Sequence, residues 1–190
     1  MIRFIVFFLI LFSLNNLTMA DEKKAYFAGG CFWCVEEAFE KTDGVKEVKS
    51  GYTGGHVKNP TYEQVTYEET GHYEAVEVIY DSNKISYDQL LDVFWKNIDP
   101  YDAKGQFCDK GSSYLSAVFY QNDDEKKAYE ESKKRLNKKD IAEFATHIKK
   151  LDVFYPAEDY HQDFYKRNPI RYKFYKTSCG RVQRLKKIWN

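Results

Sequence analysis

Apolar residues recur with two different periods along this chain, and the switches between them predict its elements. "KKAYFAGG" at 23–30 reads as a short strand ending in glycines. "CFWCVEEAFEK" at 31–41 follows as a helix, with Val35, Ala38 and Phe39 at helical spacing and Gly44 as its stop. "VKEVKSGYTGG" at 45–55 is a strand running into a glycine-rich loop, and "NPTYEQV" at 59–65 a brief helical turn with Pro60 near its start. "HYEAVEVIYD" at 72–81 alternates as a strand does. In "SYDQLLDVFWKNI" at 86–98, Ser86 and Gln89 have capping-box spacing, and Leu90, Leu91, Phe94 and Ile98 line one helical face.

The loop "DPYDAKGQFCDKGSS" leads to the strand "YLSAVFY", and "DDEKKAYEESKKRLNKK" is an exposed helix with few apolar anchors, expected to lie across a sheet. "EFATHIKKLDVFYP" predicts a strand, "AEDYHQDFYKRN" a helix ended by Pro169, and Ile170 to Asn190 shows no clear periodicity. The order β-α-β-β-α-β, then helix, strand and helix, predicts an α+β chain. Its expected core is ferredoxin-like βαββαβ, a mixed sheet with helices packed on it and C-terminal additions.

The first twenty residues stand outside that pattern. Arg3 precedes a nearly continuous apolar run from Phe4 to Leu14, and Thr18-Met19-Ala20 resembles a small-residue cleavage site. A secretory signal over 1–20 is expected, because the run is short of the roughly 20 residues a membrane span needs. The alternative is an uncleaved anchor. Cleavage leaves a single domain, 21–190, exported to a periplasm or secreted, with no membrane span in the mature chain.

Charge changes the picture little. The 29 basic and 29 acidic residues balance, so nothing argues for a nucleic-acid partner. The 16 tyrosines suit a site that needs hydroxyl donors beside apolar walls, although most must simply pack.

Cys31, Cys34, Cys108 and Cys179 carry the candidate chemistry. In an oxidising compartment disulfides are expected, with three full pairings open. No metal is expected, since one CxxC is present and His147 and His161 lack ligand spacing. Nor do His56, His72, His147 and His161 give triad spacing for a cysteine hydrolase. Cys31 falls at a strand-to-helix junction, where unpaired backbone N–H groups and the helix dipole favour a thiolate, and Cys34 lies one turn on. This supports a nucleophile at Cys31 with Cys34 as disulfide partner; a structural bridge is the other reading.

Glu74 is the second unusual position. It is in phase with Val76, Val78 and Tyr80, which predicts a carboxyl facing apolar surroundings, where burial would keep it protonated. A one-residue bulge would instead turn it to water. Tyr62, Asp109 and Tyr114 sit in loops or at element ends, where they can place donors and acceptors.

Together these segments resemble the peptide-methionine (S)-S-oxide reductases, the methionine sulfoxide reductase A family. The resemblance rests on "GCFW" at 30–33, "GYTGG" at 51–55, "NPTYEQV" at 59–65 and "TGHYEAVEV" at 70–78. It continues through "ISYDQLLDVFW" at 85–95, "CDKGSSYLSAVFY" at 108–120 and "AEDYHQDF" at 157–164, with "GCFWC" marking a branch. It implies an enzyme that reduces the S epimer of free or protein-bound methionine sulfoxide and repairs oxidised proteins. Cys31 would attack the sulfoxide sulfur, Phe32 and Trp33 would wall the methyl group, and Glu74 would protonate the oxygen. Tyr62 and Tyr114 would help by hydrogen bonding, with Asp109 also in the site.

The resemblance further implies no cofactor, a monomer, and electrons from a thioredoxin-like partner or dithiothreitol. Departures from the commoner pattern fall at Cys34 for Gly, Cys108 for Asn, and Ser113 and Leu115 for Gln and Arg around Tyr114. The thiol that resolves the Cys31 sulfenic acid is expected to be Cys34, with Cys179 as second candidate or recycling relay. A thiol–disulfide oxidoreductase and a disulfide-stapled binding module are the rival readings.

Overall fold

The computed structural model describes residues 21–136 and 143–189; the leader at 1–20 and the last positions of the expected helix at 123–139 lie outside them. Eight strands and seven α-helices follow one another as β1 (Glu22–Gly29), α1 (Phe32–Glu40), β2 (Val45–Thr53), α2 (Tyr62–Tyr67), β3 (Tyr73–Asp81) and α3 (Tyr87–Lys96). Next come β4 (Gly105–Gln106), β5 (Asp109–Lys110), a 3-10 turn at Ser112–Tyr114, β6 (Ser116–Tyr120) and α4 (Asp123–Leu136). The chain closes with β7 (His147–Lys150), β8 (Phe154–Pro156), α5 (Phe164–Arg167), α6 (Pro169–Ser178) and α7 (Arg181–Trp189).

Six strands form one sheet in the order β7-β6-β1-β3-β2-β8, and its inner four reproduce the expected βαββαβ arrangement. β1 pairs antiparallel with β3 and β6, and β2 antiparallel with β3, so two β-α-β crossovers interleave. The sheet is mixed because β7 runs parallel to β6.

Helices α1 and α3 cover one face. Phe27 of β1 stacks on Phe39 at 4.8 Å and on Phe94 at 5.3 Å, with Val76, Val78, Leu90, Leu91 and Trp95 buried around them. This is the face on which the period-two pattern places Glu74. The capping box of α3 forms as its spacing predicts: Ser86 Oγ accepts from Gln89 N at 3.2 Å, and Gln89 Oε1 from Ser86 N at 2.9 Å.

Three expectations after β6 are corrected. "EFATHIKKLDVFYP" is two short strands, with β7 beside β6 and β8 at the opposite edge beside β2. Leu151, between them, and Phe154, which opens β8, pack on a second cluster of Tyr26, Ala28, Tyr73, Ala75, Ala117 and Phe119, so these apolar residues serve a crossing. Residues 157–168 form mostly turns, with only the four-residue α5 behind a left-handed Asp163. Pro169 opens α6 instead of ending a helix, as its fixed φ and missing N–H allow at N1. The tail is helical because its packing face is made of Tyr172, Tyr175 and Arg181 and escapes an apolar-period search.

Candidate active site

Two glycines carry the chain from β1 into α1 and set Cys31 at its head. Gly30 has φ +79°, and a Cβ there would meet Gln106 Cβ at 2.5 Å, so glycine is required on both counts. Gln106 cannot easily retreat: its amide accepts from Asp99 N at 2.7 Å and donates to Asp99 O at 2.8 Å. Cys31 is the N-cap of α1. The first helical N–H, that of Phe32, is satisfied from across the sheet by Glu74 Oε2 at 3.0 Å.

A pocket of about 70 Å³ opens over this junction, lined by Cys31, Phe32, Trp33, Tyr62, Glu74, Asp109, Tyr114 and Tyr175. All seven expected substrate-facing residues therefore meet there, from α1, α2, β3, β5 and the 3-10 turn. The space suits a small polar group with a methyl. Of the two expected resolving candidates, Cys34 is buried behind Cys31 among Phe164 and Tyr172. Cys179 is bonded to Cys108, whereas Cys31 and Cys34 are free thiols.

The walls are held from the 157–164 segment. Trp33 stacks on Phe164 at 3.7 Å, and its Nε1 donates to His161 Nδ1 at 3.2 Å. The His161 ring packs on Phe32 at 4.9 Å and on Tyr62 at 4.5 Å. Glu158 accepts from Tyr52 OH at 2.8 Å and from Tyr62 N at 2.9 Å, which ties α2 to the sheet. Despite Ser113 and Leu115, Tyr114 reaches the pocket and hydrogen-bonds Tyr62.

Burial sets the electrostatics. It pushes the Glu74 carboxyl up to about 8, with Asp109 and Cys34 adding to the push and the Phe32 N–H and Tyr114 opposing it. Glu74 is thus an acid at neutral pH on the core face, and the bulge reading falls. Burial also raises Asp109, Tyr62 and Tyr114, so both phenols remain donors.

At the thiols the helix-terminus expectation is corrected. Burial, the hydrogen bond with Cys34 and the neighbouring Glu74 carboxyl push the Cys31 thiol up, although Tyr175 opposes them. Cys34 is held down to about 6 by its hydrogen bond from Cys31, against its own burial, with Arg181, Tyr172 and Lys176 also favouring the thiolate. A helix terminus favours the thiolate of an isolated cysteine; in the folded chain burial weighs against it at Cys31, and Arg181 and Lys176 act on Cys34.

Tyr175, Tyr172, His161 and Glu158 also hold the site, without a local sequence signal for a role. The last two lie in "AEDYHQDF", a segment already matched to the family without functions. The tyrosines fall in the tail without periodicity.

Residues 23–190 match the family model described as "Peptide methionine sulfoxide reductase". The peptide methionine sulfoxide reductase MsrA of Bacillus subtilis is 49% identical over 174 residues, covering 90% of this chain and 98% of that protein. Among solved structures, reduced Mxr1 from Saccharomyces cerevisiae superposes with a TM-score of 0.74 at 30% identity, covering 78% of this chain and 87% of that one. Mxr1 in complex with Trx2 matches with a TM-score of 0.53 at 25% identity, over 75% of this chain and 84% of the other. With one family model spanning the described fold and a relative of this identity over its whole length, the chain belongs to the peptide methionine sulfoxide reductase family.

Proposed function

We propose that this protein reduces the S epimer of methionine sulfoxide, free or in oxidised proteins, to methionine at Cys31. The observation that carries the reading is that a buried thiol and a carboxyl held up to about 8 face one small pocket walled by Phe32 and Trp33.

The methyl group sits against the two aromatic rings, and Tyr62 and Tyr114 donate hydrogen bonds to the sulfoxide oxygen. Glu74 gives that oxygen its proton, which makes it a better leaving group. Cys31 attacks the sulfur as its own proton passes to Cys34, its hydrogen-bond partner. The S–O bond breaks as the Cys31–sulfur bond forms, and the oxygen leaves as water. Water then attacks the Cys31 sulfur, the bond between the two sulfurs breaks, methionine departs with its electron pair, and Cys31 is left as a sulfenic acid. Cys34 then attacks the Cys31 sulfur, a disulfide forms, and the oxygen leaves as water. Cys34 is favoured over Cys179 because it is a free thiol already in contact with Cys31, whereas Cys179 is bonded elsewhere.

The disulfide is reopened by an external dithiol, thioredoxin-like in the cell and dithiothreitol in a test tube, with no prosthetic cofactor. The complex of yeast Mxr1 with Trx2 supports such a partner. The test is a chiral assay on racemic methionine sulfoxide with dithiothreitol. The S form is expected to disappear and the R form to persist, and Cys31→Ser is expected to abolish turnover. Persistence of the S form with wild type would reject the reading.

Residues 1–20 act as a secretory leader, so the enzyme works in a periplasm or outside the cell. The motivation is the charged, apolar and small-residue pattern of that segment. Among the described residues no helix is long and apolar enough to cross a membrane. N-terminal sequencing of protein recovered from an export-competent host should begin at Asp21; a chain retained with Met1 would overturn this.

A further inference from the structure

Beyond the pocket, the tail brings one helix face against both thiols. Tyr172, Tyr175 and Cys179 are spaced three and four residues apart, so they form a single stripe on α6 that continues into its C-cap. Tyr172 is 4% exposed, packs against Cys34, and donates its hydroxyl proton to Glu37 Oε2 at 2.5 Å. Glu37 is itself clamped by Lys176 and Lys41. Tyr175 lines the pocket with Cys31 and donates to Asp109 Oδ2. The stripe ends at Cys179, bonded to Cys108, the residue immediately before Asp109. A covalent bond therefore joins α6 to the pocket loop one helical turn beyond the Tyr175–Asp109 hydrogen bond. Cys108 is exposed, so a reductant can reach this bond without entering the pocket.

We propose that Tyr172 is a positioning residue for the resolving thiol Cys34, and that the Cys108–Cys179 disulfide is a strap holding the α6 face against both thiols, outside the electron path. This rests on the reading of Cys31 as nucleophile and Cys34 as resolver. Tyr172 packs its ring on Cys34 while its hydroxyl is anchored on Glu37; Cys31, Glu74, Lys176 and Arg181 are the other charged or titratable groups that act on Cys34.

The strap is tested by single turnover without external reductant on two forms of the wild type, verified by alkylation and mass. One has Cys31 and Cys34 as thiols with the strap closed; the other has all four thiols. Each methionine released consumes two thiols. The expected yield is one methionine per chain from both forms, with slower release from the opened one. Two methionines from the four-thiol chain would mean that Cys108 and Cys179 relay electrons, and equal rates would mean that the strap holds nothing the reaction needs; either result overturns the strap.

Tyr172→Phe keeps the ring and removes the hydroxyl. It should slow closure of the Cys31–Cys34 disulfide about tenfold, more than it slows methionine release, since the ring packed on Cys34 loses its hydrogen bond to the charged Glu37. Closure at the wild-type rate, or closure and release slowed equally, would remove Tyr172 from this role. No methionine from the S epimer in any form would instead sink the underlying reading.

Discussion

The backbone N–H of Phe32 donates to Glu74 Oε2 at 3.0 Å, so a carboxyl on β3 occupies the N-terminus of the helix that carries Cys31. That bond ties the acid to the helix residue next to the nucleophile. A helix N-terminus ordinarily favours a carboxylate. Here burial outweighs it and the group stays neutral up to about 8.

Glu74→Gln should lower the rate on the order of a hundredfold at pH 6 to 7, the usual scale for losing a positioned acid. The wild-type rate should decline as pH rises through about 8, where Glu74 gives up its proton. The variant has no such proton, so its deficit should narrow above that pH. Rate profiles of both proteins check this; a deficit constant across pH would mean that Glu74 only positions the oxygen.

Glu36, 1% exposed, accepts from Asp163 N at 3.1 Å, and burial pushes its carboxyl up from 4.5 to about 8. The folded chain therefore keeps a proton that the unfolded chain releases, and stability falls as pH rises from 4.5 towards 8. Glu36→Gln removes this dependence while Glu74 contributes equally to both proteins. Urea denaturation should show the variant gaining about 4 kcal/mol on wild type across that window. Parallel stability curves would contradict the assignment.

Gly30→Ala should be costly at a position that touches no substrate. The left-handed backbone costs about 1–2 kcal/mol for a residue with a Cβ. The methyl must also displace Gln106, whose amide is held at both ends by Asp99. A lower melting temperature with activity reduced more than about tenfold is expected, because Cys31 moves relative to Glu74. Wild-type activity and melting would show that the junction tolerates the shift.

The Cys108–Cys179 bond closes a loop with a sequence separation of 71 residues. By chain entropy it should stabilise the fold by about 4 kcal/mol. Cys108→Ser with Cys179→Ser should melt lower than oxidised wild type, and a phosphine reductant should lower wild type towards the variant without affecting the variant. Insensitivity of wild-type melting to the reductant would exclude a stabilising bridge.

Local patterning made much of the fold legible. Alternation in "HYEAVEVIYD", the helical stripe of "SYDQLLDVFWKNI" and the glycines before Cys31 each depend on residues a few positions apart, and each appears in place. The phase of Glu74 even gave its direction, since a strand side chain shares a face with its second neighbours. The crossing of Leu151 and Phe154 was not legible, because an apolar run has the same appearance whether it pairs at an edge or covers a face. The tail was also opaque: its packing face is built from Tyr172, Tyr175 and Arg181, whose rings and stems bury while their polar tips find partners.

By itself the sequence determined the order of elements, the thiol pair at a strand-to-helix junction, the two aromatics between those thiols, and the family to which the motifs point. All of these are written in short stretches of chain. Only the tertiary structure decided which sulfur holds the lower proton affinity, because that depends on how completely Cys31 is buried, on its hydrogen bond to Cys34, and then on Arg181 and Lys176 arriving from the far end of the chain. It also decided that Cys108 bonds Cys179 and that α6 faces both thiols. Pairings across such distances follow from how the helical tail packs back onto α1 and the pocket loop, and no local periodicity encodes that packing.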